Sequence, residues 1–179
     1  MLPEMIQIKD KEFISYITEE MLAKRVRELG GEISRDFGSE SPVLLGVLNG
    51  SFMFLSDLAR SISIPLEICF LKISSYEGTH STGKVKDMST LDIDLNERCV
   101  IIVEDIVDTG LSMTYLLEKI RRLNPKSISI ATLLTKPEAL QHPVKVDYVG
   151  FEIPNRFVVG YGLDYDGYGR NLPAIYQLK

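Results

Sequence analysis

The stretch Val100–Thr114, VIIVEDIVDTGLSMT, combines an apolar run, a polar loop and the beginning of a helical pattern. Its first four residues, Val100 to Val103, are all β-branched and apolar. Such a run is typical of a strand that is buried on both faces of a parallel sheet. We predict that this strand ends at the two acids Glu104 and Asp105, and that a helix follows the loop. In open α/β sheets, ligands bind just beyond the carboxyl ends of such strands.

The loop after this strand has the side chains expected of a ribose-phosphate site. Thr109 and Ser112 offer hydroxyls, Gly110 allows a ligand to approach the backbone, and the beginning of a helix offers amide donors to a phosphate. Glu104 and Asp105 repel a phosphate and suit sugar hydroxyls or a divalent cation. The pattern therefore favours a ribose 5-phosphate held at both ends. Residue types alone also leave open a solvated turn with an ordinary N-cap.

Composition indicates one soluble domain and argues against several classes of protein. The 179 residues include 45% hydrophobic and 25% charged residues, which is ordinary for a globular protein. A net charge of −5 disfavours non-specific binding to nucleic acid. Cys69 and Cys99 lie in apolar runs and suggest free thiols in a reducing compartment, and His80 and His142 are too far apart for a zinc motif. Without a membrane-spanning run or a signal-peptide pattern, we expect a cytoplasmic protein with no membrane partner.

Other stretches predict further elements of an α/β fold. Residues 1–10 predict an irregular or short extended lead-in, and Thr18 is a candidate N-cap of a surface helix. A strand from Val43 to Val47 leads into Leu48-Asn49-Gly50-Ser51 and a helical pattern. This loop suggests a second anion site, although a plain turn fits it equally well. A third strand begins after Pro65, and residues 74–86 predict a long mobile loop, either a lid or a surface hairpin.

Lys136 follows a fourth apolar run, from Ile128 to Leu134, and so lies at the same predicted edge of the sheet. An ammonium group only donates hydrogen bonds, so at this edge it suits an oxygen acceptor on a ligand. A solvated surface lysine is the simpler alternative.

The sequence VIIVEDIVDTGLS resembles the phosphoribosyl-diphosphate (PRPP) binding motif of type I phosphoribosyltransferases. The FEIP…FVVGYGLDY block, which begins at Phe151, resembles the base-binding end of the hypoxanthine-guanine phosphoribosyltransferases. The resemblance runs from the first helix to Leu172-Pro173. It implies an α/β fold with a doubly wound, mainly parallel sheet flanked by helices, and a small hood formed by terminal segments. It also implies a single domain over residues 1–179 and a homodimer or homotetramer.

The resemblance assigns expected roles to individual residues. The residues expected to bind PRPP are Glu104, Asp105, Thr109, Gly110, Leu111 and Ser112. The residues expected to bind pyrophosphate are Leu48, Asn49, Gly50 and Arg170, and the peptide bond between Leu48 and Asn49 is expected to be cis. The residues expected to bind the purine are Lys136, Phe157, Val158 and Asp164. Ser75 and Tyr76 are expected to lie in a lid. Asp108 is the expected general acid/base at purine N7, and Mg²⁺ is expected at Glu104, Asp105 and Asp164.

The implied reaction transfers the phosphoribosyl group of PRPP to N9 of hypoxanthine or guanine and releases pyrophosphate. The chain departs from the family pattern at Asn49, where a basic residue is common. It also departs at Asn155-Arg156, in place of an acid-containing pair, and at the glycine-rich Gly167-Tyr168-Gly169. Two alternatives remain at this stage: an enzyme for xanthine or another base, and a non-catalytic PRPP sensor that binds RNA.

Overall fold

A computed structural model describes residues 4–75, 85–88 and 91–179 as two sheets and three α-helices. In chain order the elements are β1 (Met5–Ile8), β2 (Lys11–Ile17), α1 (Glu19–Phe37), β3 (Val43–Leu48), α2 (Phe52–Ser61), β4 (Glu67–Ser75), β5 (Val85–Met88), β6 (Cys99–Val107), α3 (Leu111–Arg121), β7 (Ser127–Thr135), a short 3-10 helix (Pro137–Ala139), β8 (Tyr148–Glu152), β9 (Val158–Val159) and β10 (Ile175–Leu178).

The larger sheet has the strand order β5-β4-β3-β6-β7-β8. Its strands are parallel except for β5, which pairs antiparallel with β4. From β3 the chain moves outward to β4, and from β6 it moves in the opposite direction to β7. β3 and β6 are neighbours, so the loops that follow them diverge at the carboxyl edge of the sheet. This topological switch point is where open α/β sheets bind ligands.

Helices cover both faces of the larger sheet, and the side chains of β6 pack against helices on each face. Ile101 and Val103 pack in a core with α1 and α2, whereas Val100 and Ile102 pack in a second core with α3. All four side chains are fully buried. Burial of each contributes about 1.5–3 kcal/mol. The predicted strand that is buried on both faces is therefore confirmed.

The first helix begins as its sequence predicts. Thr18 is its N-cap, and the Thr18 hydroxyl accepts a hydrogen bond of 3.3 Å from the Met21 amide. Glu19 and Glu20 lie in the first turn, where the helix dipole favours negative charge. The buried face of α1 packs in the core shared with α2, so this helix supports one face of the sheet.

The smaller sheet brings both ends of the chain together. Its order is β1-β2-β10-β9, and every pair in it is antiparallel. Its own core consists of four buried residues: Phe13, Val159, Ala174 and Tyr176. On its other face, Ile17, Val158 and Ile175 pack in the core beneath α1 and α2. The predicted α/β fold with a small hood is confirmed.

Two predicted boundaries were wrong. β6 continues through Glu104 and Asp105 to Val107, because its pairing with β7 continues to the end of both strands. The two acids therefore belong to the strand and not to the loop. The lead-in is short and extended, which is one of its two predicted forms: Met5–Ile8 form β1, which pairs with β2.

The predicted loop 74–86 is shorter at both ends, because β4 includes Ser74 and Ser75, and β5 begins at Val85 and pairs with β4. The rest of that loop, including the predicted lid residue Tyr76, lies outside the described residues. Among the described residues, no helix is long and apolar enough to cross a membrane.

Candidate active site

A cavity of about 170 Å³ lies where β6 gives way to α3. Its lining consists of Glu104, Asp105, Ile106, Val107, Asp108, Thr109, Gly110, Ser112 and Met113. Six of these are residues predicted to bind PRPP or to act in catalysis. The seventh predicted residue of this stretch, Leu111, is the first residue of α3 and is 37% exposed.

The loop between β6 and α3 is fixed by contacts with residues beyond Lys136. The Thr109 carbonyl accepts hydrogen bonds from the amides of Gln141 and His142, each at 3.0 Å. Gly110 has a φ of 82°, and a Cβ there would lie 2.4 Å from the His142 carbonyl oxygen. Only glycine fits both conditions without strain. Since the first amides of a helix have no intrahelical acceptor, this fixed loop and the start of α3 form a cradle for a phosphate.

The adjacent acids Glu104 and Asp105 have carboxyl groups that are costly to ionise together. Burial and the neighbouring Asp105 charge raise the pKa of Glu104 well above 4.5. Burial also raises the pKa of Asp105, although hydrogen bonds, including one of 2.9 Å from the Ile106 amide, and the charge of Arg170 oppose that rise. A cation or several hydroxyl donors between these groups would stabilise both as carboxylates.

The loop after β3 touches this acid pair. Its Leu48–Asn49 peptide bond is cis, as expected. A Cβ on Gly50 would lie 1.5 Å from Asp105 Oδ2, so the carboxylate occupies the space that any other residue would need. The buried Ser51 hydroxyl donates a hydrogen bond of 2.6 Å to the Val47 carbonyl, which anchors the loop at the start of α2.

The segment after β9 closes the same cluster. The Gly50 carbonyl oxygen is 2.0 Å from the point that a Cβ of Gly162 would occupy. Arg170 donates to the Gly162 carbonyl at 2.6 Å and pairs with Asp164 Oδ1 at 2.6 Å. The other oxygen of Asp164 accepts from the Gly167 amide at 2.6 Å. Arg170 and Asp164 therefore lie beside the loop predicted to bind pyrophosphate.

Lys136 lies beside Asp108. Its side chain is 8% exposed, and its Nζ donates to Asp108 Oδ2 at 3.0 Å. The Lys136 amide also donates to the Val107 carbonyl at 3.1 Å. These contacts join the ends of the neighbouring strands β6 and β7, so the predicted base-binding lysine and the predicted general base are direct neighbours.

Phe157 and Val158 follow β8 in the chain. The Ile153 amide donates to the Thr135 carbonyl at 2.8 Å, which ties the segment leading to Phe157 to the residue before Lys136. The Phe157 ring is 43% exposed, whereas Val158 is buried. Phe157 thus keeps an open surface on which a planar base could stack.

The predicted metal ligands do not form a ready-made site. Within the described part of the chain, no three His, Cys, Asp or Glu side chains are grouped as metal ligands. Both carboxylate oxygens of Asp164 already have partners in Arg170 and the Gly167 amide. Magnesium is commonly held by one or two carboxylates together with substrate phosphates and water. The oxygen donors present suit that mode of binding.

Sequence reasoning missed four contributors to the site. Gly162 contacts Gly50, and Ile106, Val107 and Met113 line the cavity. An apolar side chain such as that of Met113 gives no local sign of a binding role, and no local pattern links two glycines more than 100 positions apart.

Comparisons with known proteins agree with this geometry. The family model described as the phosphoribosyl transferase domain matches residues 15–166. The hypoxanthine-guanine phosphoribosyltransferase of Bacillus subtilis (strain 168) is 46% identical over 164 residues, which cover 91% of this chain and 91% of that protein. The enzyme of the same name from Mycobacterium tuberculosis (strain H37Rv) is 42% identical over 175 residues, covering 90% and 87%.

A solved structure shares the fold. The crystal structure of a hypoxanthine-guanine phosphoribosyltransferase from Bacillus anthracis, with HEPES in its active site, has a TM-score of 0.86 and 42% identity. The match covers 92% of this chain and 96% of that one.

Proposed function

This chain belongs to the phosphoribosyltransferase family, and within it to the hypoxanthine-guanine phosphoribosyltransferases, and from that premise we propose how its residues perform the transfer. The enzyme moves the 5-phosphoribosyl group of PRPP to a purine in purine salvage. The observation that carries the assignment of roles is the Lys136–Asp108 hydrogen bond of 3.0 Å at the rim of the β6–α3 cavity. This contact places Lys136, proposed to recognise the base, beside Asp108, proposed to accept a proton. Asp108 belongs to the β6–α3 loop, which is proposed to bind phosphate.

The 5-phosphate of PRPP binds at the beginning of α3. Thr109 and Ser112 supply hydroxyls, and Gly110 and Leu111 bring backbone amides to the phosphate oxygens. Glu104 and Asp105 accept hydrogen bonds from the ribose hydroxyls. The sugar is therefore held at both ends, with its C1 carbon directed toward the base.

Magnesium fits the acidic side of the site, where Glu104, Asp105 and Asp164 would hold it together with oxygens of PRPP. When bound, it supplies positive charge that neutralises the diphosphate leaving group. The cis Leu48–Asn49 peptide and the Gly50 amide bind the leaving diphosphate from one side, and Arg170 binds it from the other. Because Asn49 carries no charge, backbone amides and Arg170 carry more of this recognition.

The purine enters between Lys136 and Phe157. Phe157 stacks on the ring, Val158 offers backbone groups to its edge, and Lys136 donates to the 6-oxo group. Asp108 exchanges a proton with purine N7, which keeps the electron pair of N9 available for attack at C1. A 6-amino purine would place donors opposite the Lys136 donor, so adenine is rejected.

A nucleotide-formation assay tests this proposal. Purified protein with PRPP and Mg²⁺ should convert hypoxanthine and guanine to nucleoside monophosphates, with adenine unused. Removal of Mg²⁺ with a chelator should abolish the product. Xanthine as the best substrate would move the specificity assignment to another base. RNA binding that weakens with salt, together with no nucleotide formation from any base, would overturn the enzymatic role.

A further inference from the structure

The turn of the β1–β2 hairpin forms a hydrogen bond and an ion pair with the segment that follows β9. The Tyr165 hydroxyl donates to Asp10 Oδ1 at 2.9 Å, and Lys9 pairs with Asp166. The hydrogen bond from Tyr165 lowers the pKa of Asp10, so the acceptor is a carboxylate at neutral pH. Two consecutive residues of the turn thus bind two consecutive residues of the other segment.

The same turn reaches the ring of Phe157. Lys11 Nζ lies 4.5 Å from the centre of the Tyr165 ring and 5.8 Å from the centre of the Phe157 ring. Tyr165 meets Phe157 edge-on, with ring centres 5.9 Å apart and an interplanar angle of 84°. Phe13 packs against both rings, at 6.3 and 6.2 Å. Phe157 therefore touches three side chains while 43% of it stays exposed.

Three of these supports lie outside the region that the family model matches. That match begins at residue 15, whereas Asp10, Lys11 and Phe13 precede it. Apart from Phe157 itself, the cluster includes no residue that the proposed mechanism places against PRPP or the purine. Its members can therefore be changed without removing a group that meets PRPP.

We propose that Lys11, Asp10 and Tyr165 are positioning residues that hold the Phe157 ring in the orientation in which it stacks on the purine. This inference rests on the proposed purine-binding role of Phe157. Tyr165 fixes the ring plane by its edge-on contact, Asp10 holds the Tyr165 hydroxyl, and Lys11 covers both rings as a cation. Such contacts restrict a ring that a half-exposed position would otherwise leave free to rotate. Because the Phe157 ring is already restricted before the purine binds, stacking costs less conformational entropy.

Steady-state kinetics with separate KM values for hypoxanthine and PRPP test the proposal. Tyr165→Leu should raise the KM for hypoxanthine about 3- to 10-fold, the effect expected for loss of one aromatic pair. Lys11→Met should raise it about 2- to 5-fold. The KM for PRPP and kcat should stay within about twofold of wild type, because the sugar and diphosphate sites are untouched. Tyr165→Phe, which keeps the ring but loses the hydroxyl that Asp10 holds, should recover only part of the loss.

Tyr168→Leu is the matched control. Tyr168 lies in the same turn as Tyr165 and has a lysine, Lys9, 4.9 Å from its ring centre, but it is 61% exposed and is not part of the ring cluster around Phe157. This control should leave the KM for hypoxanthine unchanged. Melting temperatures of all variants separate local effects from loss of folding. If Tyr165→Leu does not fold, Lys11→Met carries the test alone.

A double-mutant cycle shows whether the cluster acts through Phe157. In a Phe157→Ala background, Tyr165→Leu should add nothing to the rise in KM. If Phe157→Ala raises the KM for hypoxanthine but Tyr165→Leu and Lys11→Met do not, the inference fails and the role of Phe157 stands. If Phe157→Ala leaves that KM unchanged, the proposed stacking fails as well. A uniform loss of kcat with both KM values unchanged would also overturn the positioning role.

Discussion

Asp108 and Lys136 come from neighbouring strand ends, and their contact gives each a defined partner before any base binds. The Lys136 ammonium lies within 3.0 Å of an Asp108 oxygen, and Asp108 remains 46% exposed on the cavity side. A purine that places O6 against Lys136 brings N7 toward Asp108, because these atoms are neighbours on the purine edge. In the proposed mechanism, recognition of the 6-oxo group and proton exchange are therefore linked in one contact.

Removing the carboxylate of Asp108 should reduce kcat and spare PRPP binding. We expect Asp108→Asn and Asp108→Ala to lower kcat about 10²- to 10⁴-fold, the usual contribution of a general acid/base. The KM for PRPP should change by no more than about threefold, because neither variant alters the phosphate cradle. Initial-rate kinetics at saturating hypoxanthine measure both. A wild-type kcat in both variants would remove the proposed role.

Glu104 should destabilise the ligand-free protein at neutral pH. Folding raises the pKa of Glu104 above the 4.5 of a free carboxyl, so the protonated form is favoured in the folded state. The protonated Glu104 carboxyl contributes its full stabilisation below about pH 4.5. This contribution is lost as the pH rises through the higher pKa of Glu104 in the folded state. Glu104→Gln should therefore raise Tm at pH 8 by at least about 2 °C and change it little near pH 4.

Thermal unfolding across that pH range, without PRPP, measures this effect. Glu118→Gln on the exposed side of α3 is the control and should show no pH-dependent gain. Glu104→Gln should also weaken PRPP binding, because an amide donor replaces one oxygen of the carboxylate that is proposed to accept from ribose. A Tm difference that is the same at pH 4 and pH 8 would show that burial does not hold the Glu104 carboxyl in its protonated form.

At the scale of elements, two strand–loop–helix units meet through Gly50 and Asp105. The β3–α2 loop can lie beside β6 only because Gly50 has no Cβ where the Asp105 carboxylate sits. The position of the predicted pyrophosphate loop is thereby tied to that of Asp105, the acid proposed to bind ribose. Local sequence could not reveal this contact, since the two residues are 55 positions apart and become neighbours only when β3 pairs with β6.

Gly50→Ala should disrupt both units at once. Its methyl group would force Asp105 or the β3–α2 loop to move by about 1 Å or more, and a shift of that size can cost about 100-fold in activity. We expect kcat/KM for PRPP to fall by at least that factor. Gly31→Ala in α1 is the control, because a Cβ there meets nothing within 4 Å. It should keep full activity and stabilise the helix by about 1 kcal/mol.

The elements around the site could be predicted from sequence, but their exact ends could not. The apolar run of β6, the glycine at the loop and the helical spacing of α3 are local signals, and each gave the correct element. The extension of β6 to Val107 depends on pairing with β7, which is a long-range contact. The roles of Phe157, Asp164 and Arg170 came from family resemblance, because each residue alone suits a core, a turn or a surface.

At the scale of the molecule, the hood has too small a core to fold alone. Within the described residues, only four buried side chains form its separate cluster, and its other face shares the core beneath α1 and α2. Small antiparallel sheets need such support to be stable in water. We therefore propose that residues 1–179 form one cooperative domain. The expected homodimer or homotetramer stays a prediction.

Calorimetry tests the cooperativity. The ligand-free protein should unfold in one transition whose calorimetric and van't Hoff enthalpies agree. PRPP with Mg²⁺ should move that single transition upward, because a ligand that binds only the folded state stabilises the whole unit. Two separate transitions, with only one of them shifted by PRPP, would show that the hood and the larger sheet fold independently. If the protein is an oligomer, the scan must be repeated at two concentrations.

The central claim is that PRPP binds at the switch point between β3 and β6, and a crystal structure of the protein with PRPP and Mg²⁺ tests it most directly. The 5-phosphate should lie against Thr109, Gly110 and Ser112, with the ribose hydroxyls at Glu104 and Asp105. The diphosphate should lie between the Leu48–Gly50 loop and Arg170. PRPP bound elsewhere, or bound at the switch point with its phosphates reversed, would contradict the claim.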